Sequence, residues 1–478
     1  MKKKLVVTMV ALFILAFSFS IAPKKANAIP AFAQKYHFSC AVCHTVFPNL
    51  NPFGRAFWRN GFRLPGTNGT PSDATQITEG LSLPNPWPIP IMVEGIITYQ
   101  HYTNENVSPQ TDAFGIDGAI VAAGAFKLYT PLANSLSFYT HWNVGTVSAR
   151  SVGLKQIFAS INGLGTGFGV PSHLFNLKLG QVTTASPYFY RQAPFYLPSG
   201  PVVNGQDLNV GYDGEAAALI HARNAGFALY GTPGYHLWYK VTVTNDAGSN
   251  SGNTAVGEAT NYLNSNGNGQ VSNAMEYSYQ LKEYAPIPMG QLEFGYYGAT
   301  VAEPINNVSG GVGAWTNRVM VNGVDVDLAN DVYELGLTYM VQSDSNPYAN
   351  NTSISYATPT SVSGTSNGYS DFEVYGRYIL PIMNNGIMLS ADYATYSWTH
   401  KDLQEGYAGG TTTCSNANLY GNAYTNTNLT GVCDEGIKDA LALQATINLA
   451  LNAHLYLSYT FTNEAQDNLL GTGLDFAF

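Results

Sequence analysis

The sequence predicts an all-β chain: an antiparallel barrel of about sixteen strands crossing a membrane, with a short helical and coil segment before it that plugs the periplasmic side. Three observations lead there. Aromatic residues make up 13% of the 478 residues and charged residues only 11%. That is too little charge to solvate a soluble surface of this size, and too many rings for a disordered chain. Apolar and polar residues alternate with period two through most of the chain after residue 90, which leaves the mean hydropathy near zero. The connections between alternating segments are short and long in turn, as in barrels with tight periplasmic turns and long outer loops.

Residues 1–28 read as a signal peptide. Lys2, Lys3 and Lys4 precede an apolar run from Leu5 to Ile21, and Ala26-Asn27-Ala28 supplies a small-residue cleavage site. After Ala28 no apolar run is long enough for a spanning helix, so any membrane passage falls to strands. Export removes five lysines and no acids, taking the net charge from -10 to -15. This acidity argues against nucleic acid as a partner and suits attraction of cations, with outer-membrane lipid around the barrel.

Residues 29–66 are compact, aromatic and basic, and carry the chemistry. Cys40-Ala41-Val42-Cys43-His44 has the spacing of a c-type haem attachment site. Two thiols one short turn apart form thioethers to the two vinyl groups of one haem, and the adjacent His44 becomes the proximal iron ligand. The other readings are a redox dithiol or half a zinc site, but a second metal-spaced Cys or His pair is missing nearby. Asn51-Pro52 predicts a helix N-cap with proline at the first position, and Asn60-Gly61 its end. Arg55 and Arg59 then lie one turn apart on one face. Two pairings are open to them: the haem propionates, or an acidic inner wall of the barrel. Phe47, Phe53, Phe57 and Trp58 read as packing around the haem or within the plug.

The distal iron ligand has to come from elsewhere. No Met occurs between Ile29 and Pro90, and His37 is an awkward three residues before Cys40. His454 and His236, each placed at the start of a strand on its polar face, are the first and second candidates. Met388 and Met92 also take inward positions.

Residues 67–90 form a proline-rich linker, with Pro84, Pro86, Pro88 and Pro90 excluding helix. Residues 91–478 form the barrel. In Asp439–Leu451, Leu441, Leu443, Ala445 and Ile447 oppose Ala442, Gln444, Thr446 and Asn448; in Tyr235–Val243, Leu237, Tyr239 and Val241 oppose His236, Trp238, Lys240 and Thr242. Gln291, Glu293 and Gly295 oppose Leu292, Phe294 and Tyr296 in the same way. Short turns fall near Pro131–Asn134, Thr232–Gly234, Pro286–Pro288, Pro381–Asn385 and Asn452. Long loops fall near His101–Ala113, Thr183–Tyr212, Asn245–Val271, Gln342–Ser370 and Lys401–Gly436. An even strand count requires a strand near Gly313–Val321, the weakest of the set. Cys414 and Cys433 share one outer loop and suit a disulfide in an oxidising compartment.

The stretches Ile29-Pro30-Ala31-Phe32-Ala33, Cys40-Ala41-Val42-Cys43-His44 and Phe47-Pro48-Asn49-Leu50-Asn51-Pro52-Phe53-Gly54-Arg55-Ala56-Phe57 resemble the fused monohaem cytochrome–porin family of outer-membrane iron oxidases. The resemblance implies one covalent haem c, Fe(II) as extracellular electron donor, and a periplasmic cytochrome or copper protein as acceptor. Cys40 and Cys43 carry over as thioether sites and His44 as proximal ligand; no iron-binding residue carries over. A porin whose haem segment plugs or gates solute flow is the competing function. A cytochrome with another donor, or one running in reverse, is a third.

Overall fold

The computed structural model describes residues 36, 38–46, 49–64, 76–78, 81–82, 91–102, 112–144, 153–185, 223–245, 275–305, 315–344, 367–381, 386–398, 439–450, 453–462 and 469–477. The predicted signal peptide, His37, Cys414, Cys433 and the predicted long outer loops lie outside them.

The plug holds a short pair, β1 (His44–Val46) and β2 (Asn49–Leu50), followed by helix α1 (Pro52–Arg59). The linker contributes a second small pair, β3 (Gln76–Thr78) with β4 (Leu81–Ser82). Then come the barrel strands β5 (Ile91–Tyr102), β6 (Asp112–Thr130), β7 (Ala133–Asn143), β8 (Gly153–Asn162), β9 (Asn176–Thr183), β10 (Arg223–Gly231), β11 (Leu237–Asn245) and β12 (Met275–Ile287). They continue with β13 (Gly290–Ile305), β14 (Trp315–Ala329), β15 (Tyr333–Asp344), β16 (Asn367–Leu380), β17 (Ile387–Trp398), β18 (Asp439–Ala450), β19 (Ala453–Thr462) and β20 (Leu469–Ala477). Each pairs antiparallel with its neighbours in sequence, and β20 pairs with β5 to close a barrel of sixteen strands. Closure leaves no unpaired edge, the condition for placing a sheet in lipid. The strand required near Gly313–Val321 is β14, and its full register against β13 runs from Gln291↔Ala329 to Ile305↔Trp315.

The alternation read from the sequence is the division between lipid and lumen. Leu441 and Leu443 face out while Ala442, Gln444 and Thr446 are buried; Phe294 and Tyr296 face out while Glu293 is buried. Outward Ile, Leu, Val, Phe and Tyr side chains recur on nearly every barrel strand, forming the apolar exterior of an outer-membrane barrel. The inner wall is not polar throughout, however. Tyr297, Ala299, Val301, Val319, Val321 and Met340 form a fully buried apolar patch on β13, β14 and β15.

At one barrel end the connections are tight: Pro131–Leu132 joins β6 to β7, Pro288–Met289 joins β12 to β13, and Asn330–Val332 joins β14 to β15. The β8–β9 connection is longer, and folds back through a 3-10 turn at Thr166–Phe168 in which Gly165 and Gly169 both have positive φ. This tight end receives the plug.

Candidate functional site

Helix α1 forms where its capping residues place it. Asn51 Oδ1 accepts from the Gly54 backbone N at 2.9 Å, and Pro52 occupies the first turn, where a missing N–H costs nothing. The same Asn51 braces the predicted haem turn. Its Nδ2 donates to the carbonyls of Ala41 at 3.3 Å and Val42 at 3.0 Å, and its backbone N donates to Cys43 O at 2.9 Å. Gly54 packs directly under that turn, since a Cβ there would meet the Cys43 carbonyl. Cys40–Val42 forms a 3-10 turn, and Cys43 and His44 are half-buried at its exit. Phe38 and Phe53 meet edge-on at 6.0 Å beside it, and Tyr36 stacks on Phe38 at 5.6 Å. Burial pushes the Tyr36 hydroxyl up to about 12, against the opposing pull of Arg63.

The helix ends as sharply as it begins. Phe62 N donates to Phe57 O and Gly61 N to Trp58 O, both at 3.0 Å. Gly61 and Phe62 are both left-handed, at φ 68° and 62°. Glycine takes that conformation freely and phenylalanine at a cost of about 1 kcal/mol, roughly what a stacked aromatic contact returns. The turn drives Phe62 against Phe158 on β8, with rings 6.3 Å apart and 8° from parallel, and against Tyr139 on β7 at 6.4 Å.

Three arginines of the plug are buried in the barrel wall. Arg55 donates to Asp327 on β14 and to Glu334 Oε1 on β15 at 2.6 Å, while its Nε donates to Leu50 O at 3.3 Å. Arg59 forms a two-pronged pair with Glu293 on β13, at 2.8 and 2.9 Å, and also donates to the Tyr284 hydroxyl. Its guanidinium lies over the rings of Trp238 and Tyr284, 5.2 and 5.1 Å from their centres. Burial disfavours both charges, and the facing carboxylates more than offset it, so both guanidinium pKa values stand above the ordinary arginine value. Arg63 reaches only neutral acceptors, Ser172 O at 2.9 Å and Asn176 Oδ1 at 2.7 Å, and burial draws its pKa down. Of the two pairings open to Arg55 and Arg59, the acidic wall supplies partners for both.

Those acids belong to a wider network. Tyr375 on β16 donates to Asp327 Oδ1 at 2.9 Å and Glu334 Oε1 at 3.1 Å. Arg377 pairs with Glu334, its direct cross-strand neighbour, and Lys282 with Asp325 and Glu293. Arg377 also reaches the plug at Thr45 Oγ1, 3.4 Å away. On the other side, Lys178 of β9 holds its ammonium 4.4 Å from the centre of Trp58 and 4.3 Å from that of Phe158.

The two distal-ligand candidates part company. His236 lies in the β10–β11 turn, not on the strand; its ring is exposed and its Nδ1 contacts Gly234 O in the same turn at 2.9 Å. Gly234 and Tyr235 both have positive φ, which throws the residue after them out of the strand's inward register. His454 is the second residue of β19, 2% exposed, facing inward. Its Nδ1 meets Asn448 Oδ1 at 3.1 Å and its Nε2 has no hydrogen-bond partner, at the tight-turn end of the barrel that receives the plug. Met92 packs with Val121 and Ala477, and Met388 with Ile379, their thioethers committed to apolar clusters. A buried imidazole nitrogen left without a hydrogen-bond partner is the kind of group that ligates a haem iron.

No protein-family model and no curated protein matches this chain. Among solved structures it is similar to OmpF of Salmonella typhi in complex with daunomycin, at 12% identity and TM-score 0.47, covering 82% of this chain and 97% of that one. It is also similar to in-vitro folded OmpT of Vibrio cholerae, at 10% identity and TM-score 0.45 over 82% and 99%, and to a mutant porin of Rh. blastica, at 12% and 0.40 over 82% and 100%. These likenesses extend to the fold alone. The chain's own sixteen-stranded closure and apolar exterior make it an outer-membrane β-barrel.

Proposed function

We propose that the protein is an outer-membrane electron-transfer cytochrome, with one haem c bound covalently at Cys40 and Cys43, His44 as its proximal ligand, Fe(II) as external donor and a periplasmic cytochrome or copper protein as acceptor. The observation that carries this reading is the bracing of the Cys40–His44 turn by Asn51, at the head of a helix fastened to the wall. Bound there, a haem supplies a one-electron couple between donor and acceptor. The chain's own residues hold the site still: Asn51 fixes the attachment turn, Arg55 and Arg59 fix the helix, and the rings of Tyr36, Phe38 and Phe53, from before and after the turn, pack in series. Fe(II) as the donor rests on the family resemblance, and the acidic interior is compatible with a cation.

The barrel alone would serve a solute channel equally well, with the plug as its gate, and the porin-type fold favours that second reading. Against it stands the latch. Removing one partner of a buried ion pair costs about 3–5 kcal/mol, so a segment held by two such arginines is a poor swinging gate. Stopped-flow mixing of the purified, oxidised protein with Fe(II), with His44→Ala as control, separates the readings. Rapid appearance of the reduced visible band in the intact protein alone supports iron oxidation. A spectrum unmoved by Fe(II) but reduced by dithionite rejects iron as donor, and absence of covalent haem leaves the channel.

A further inference from the structure

We propose that His454 is the second axial ligand of the haem, supplied by the barrel wall through Nε2, with Asn448 as the residue that positions it; this rests on the cytochrome reading above. Asn448 Oδ1, an acceptor only, lies 3.1 Å from His454 Nδ1, which assigns the ring proton to Nδ1 and leaves the lone pair on Nε2. A hydrogen bond to the ring's other nitrogen is how proteins orient an imidazole toward a metal and raise its basicity.

Nε2 is then a bare acceptor in a residue 2% exposed, with no donor from the protein. A buried polar atom left in that state is destabilising unless a ligand satisfies it. The fold keeps the atom in place. His454 stands in register with Asn448 on β18 and Asp475 on β20, so its backbone is fixed on both sides.

The other described histidines have different surroundings. His141 contacts the Tyr139 hydroxyl at 3.4 Å, His173 lies 4.2 Å from the Tyr235 ring, and His236 is turned to solvent. His101 sits at the far end of β5, away from the plug. His454 combines an inward, buried position at the plug end of the barrel with an Nε2 that has no hydrogen-bond partner.

The arrangement implies a consequence for assembly: the covalent attachment belongs to the plug and the second ligand to the barrel, so six-coordination reports that the two have docked.

The test uses the full-length, haem-loaded protein and reads spin state rather than turnover. Electron paramagnetic resonance and near-infrared magnetic circular dichroism of the wild type should give a low-spin, bis-imidazole signature. His454→Ala should convert it to high spin, and added imidazole should restore low spin. His454→Met should stay low-spin but change to an imidazole–thioether signature with a raised potential. Correct folding of each variant is read from the mobility difference of boiled and unboiled barrel on a gel. A folded His454→Ala protein that remains low-spin without imidazole overturns the assignment while leaving the cytochrome intact. A wild type with no haem retained on a denaturing gel overturns the cytochrome reading, and this proposal with it.

Discussion

Replacing Arg55 by Met tests whether the plug is latched or merely resting in the barrel. Methionine keeps most of the side chain's length and removes the charge, leaving Asp327 and Glu334 without the guanidinium that joins them. Neither acid is stranded, because Tyr375 still donates to both and Arg377 still pairs with Glu334. The cost therefore falls at the low end for a broken buried pair, about 3 kcal/mol. At 1.4 kcal/mol per factor of ten, the equilibrium for lifting the plug rises roughly a hundredfold. Arg59→Met should cost a similar amount, since Glu293 keeps only Lys282, 3.4 Å away. The double variant should fall short of the sum, because both arginines act within one charge network. The assay is amide hydrogen exchange across Asn51–Leu64 in detergent or lipid, where opening free energy sets the rate. Exchange about two powers of ten faster in Arg55→Met, with β14 and β15 unchanged, is the expected result. Arg55→Lys should recover part of the protection, having a charge but no fork. Wild-type exchange rates in Arg55→Met would refute the latch.

Two further substitutions probe the ends of the helix. Asn51→Ala removes both the cap and the brace, costing about 1–2 kcal/mol, and Gly54→Ala sets a methyl group against the Cys43 carbonyl; each should lower the fraction of chains that retain haem on a denaturing gel, and unchanged retention in both would separate the turn from the helix. Gly61→Ala forces a left-handed alanine toward Asn162 and the Tyr230 hydroxyl; it should weaken docking by about 1–2 kcal/mol and raise ion conductance through bilayer-reconstituted barrels, whereas a conductance equal to wild type would mean the plug seats without this turn.

What could be read in advance followed from local rules. Asn51, Pro52 and Asn60-Gly61 delimit α1 because caps act through neighbouring backbone atoms, and the alternation of Leu441–Ile447 sets its facing because a strand has period two. The partners of Arg55 could not be read, since Asp327 and Glu334 lie more than 270 residues away and only barrel closure brings them near. His236 and His454 look alike in sequence, each at a strand start. Two positive-φ residues in the β10–β11 turn separate them, and Tyr235 gives no local sign of one. The apolar patch around Tyr297 and Val321 escaped as well, because alternation assigns a face to a side chain and not what covers it.

The contacts of the plug follow an order around the wall. From Arg63 back to Thr45, its residues engage β9, then β12 and β13, then β14 and β15, and then β16. They work as spokes rather than as a stopper. A hollow cylinder of sixteen strands yields most easily by flattening into an ellipse, and spokes set at successive angles resist that along more than one axis. A redox centre carried on such a hub would keep its surroundings nearly fixed as its charge changes. Small rearrangement on oxidation is what makes electron transfer fast at a modest driving force.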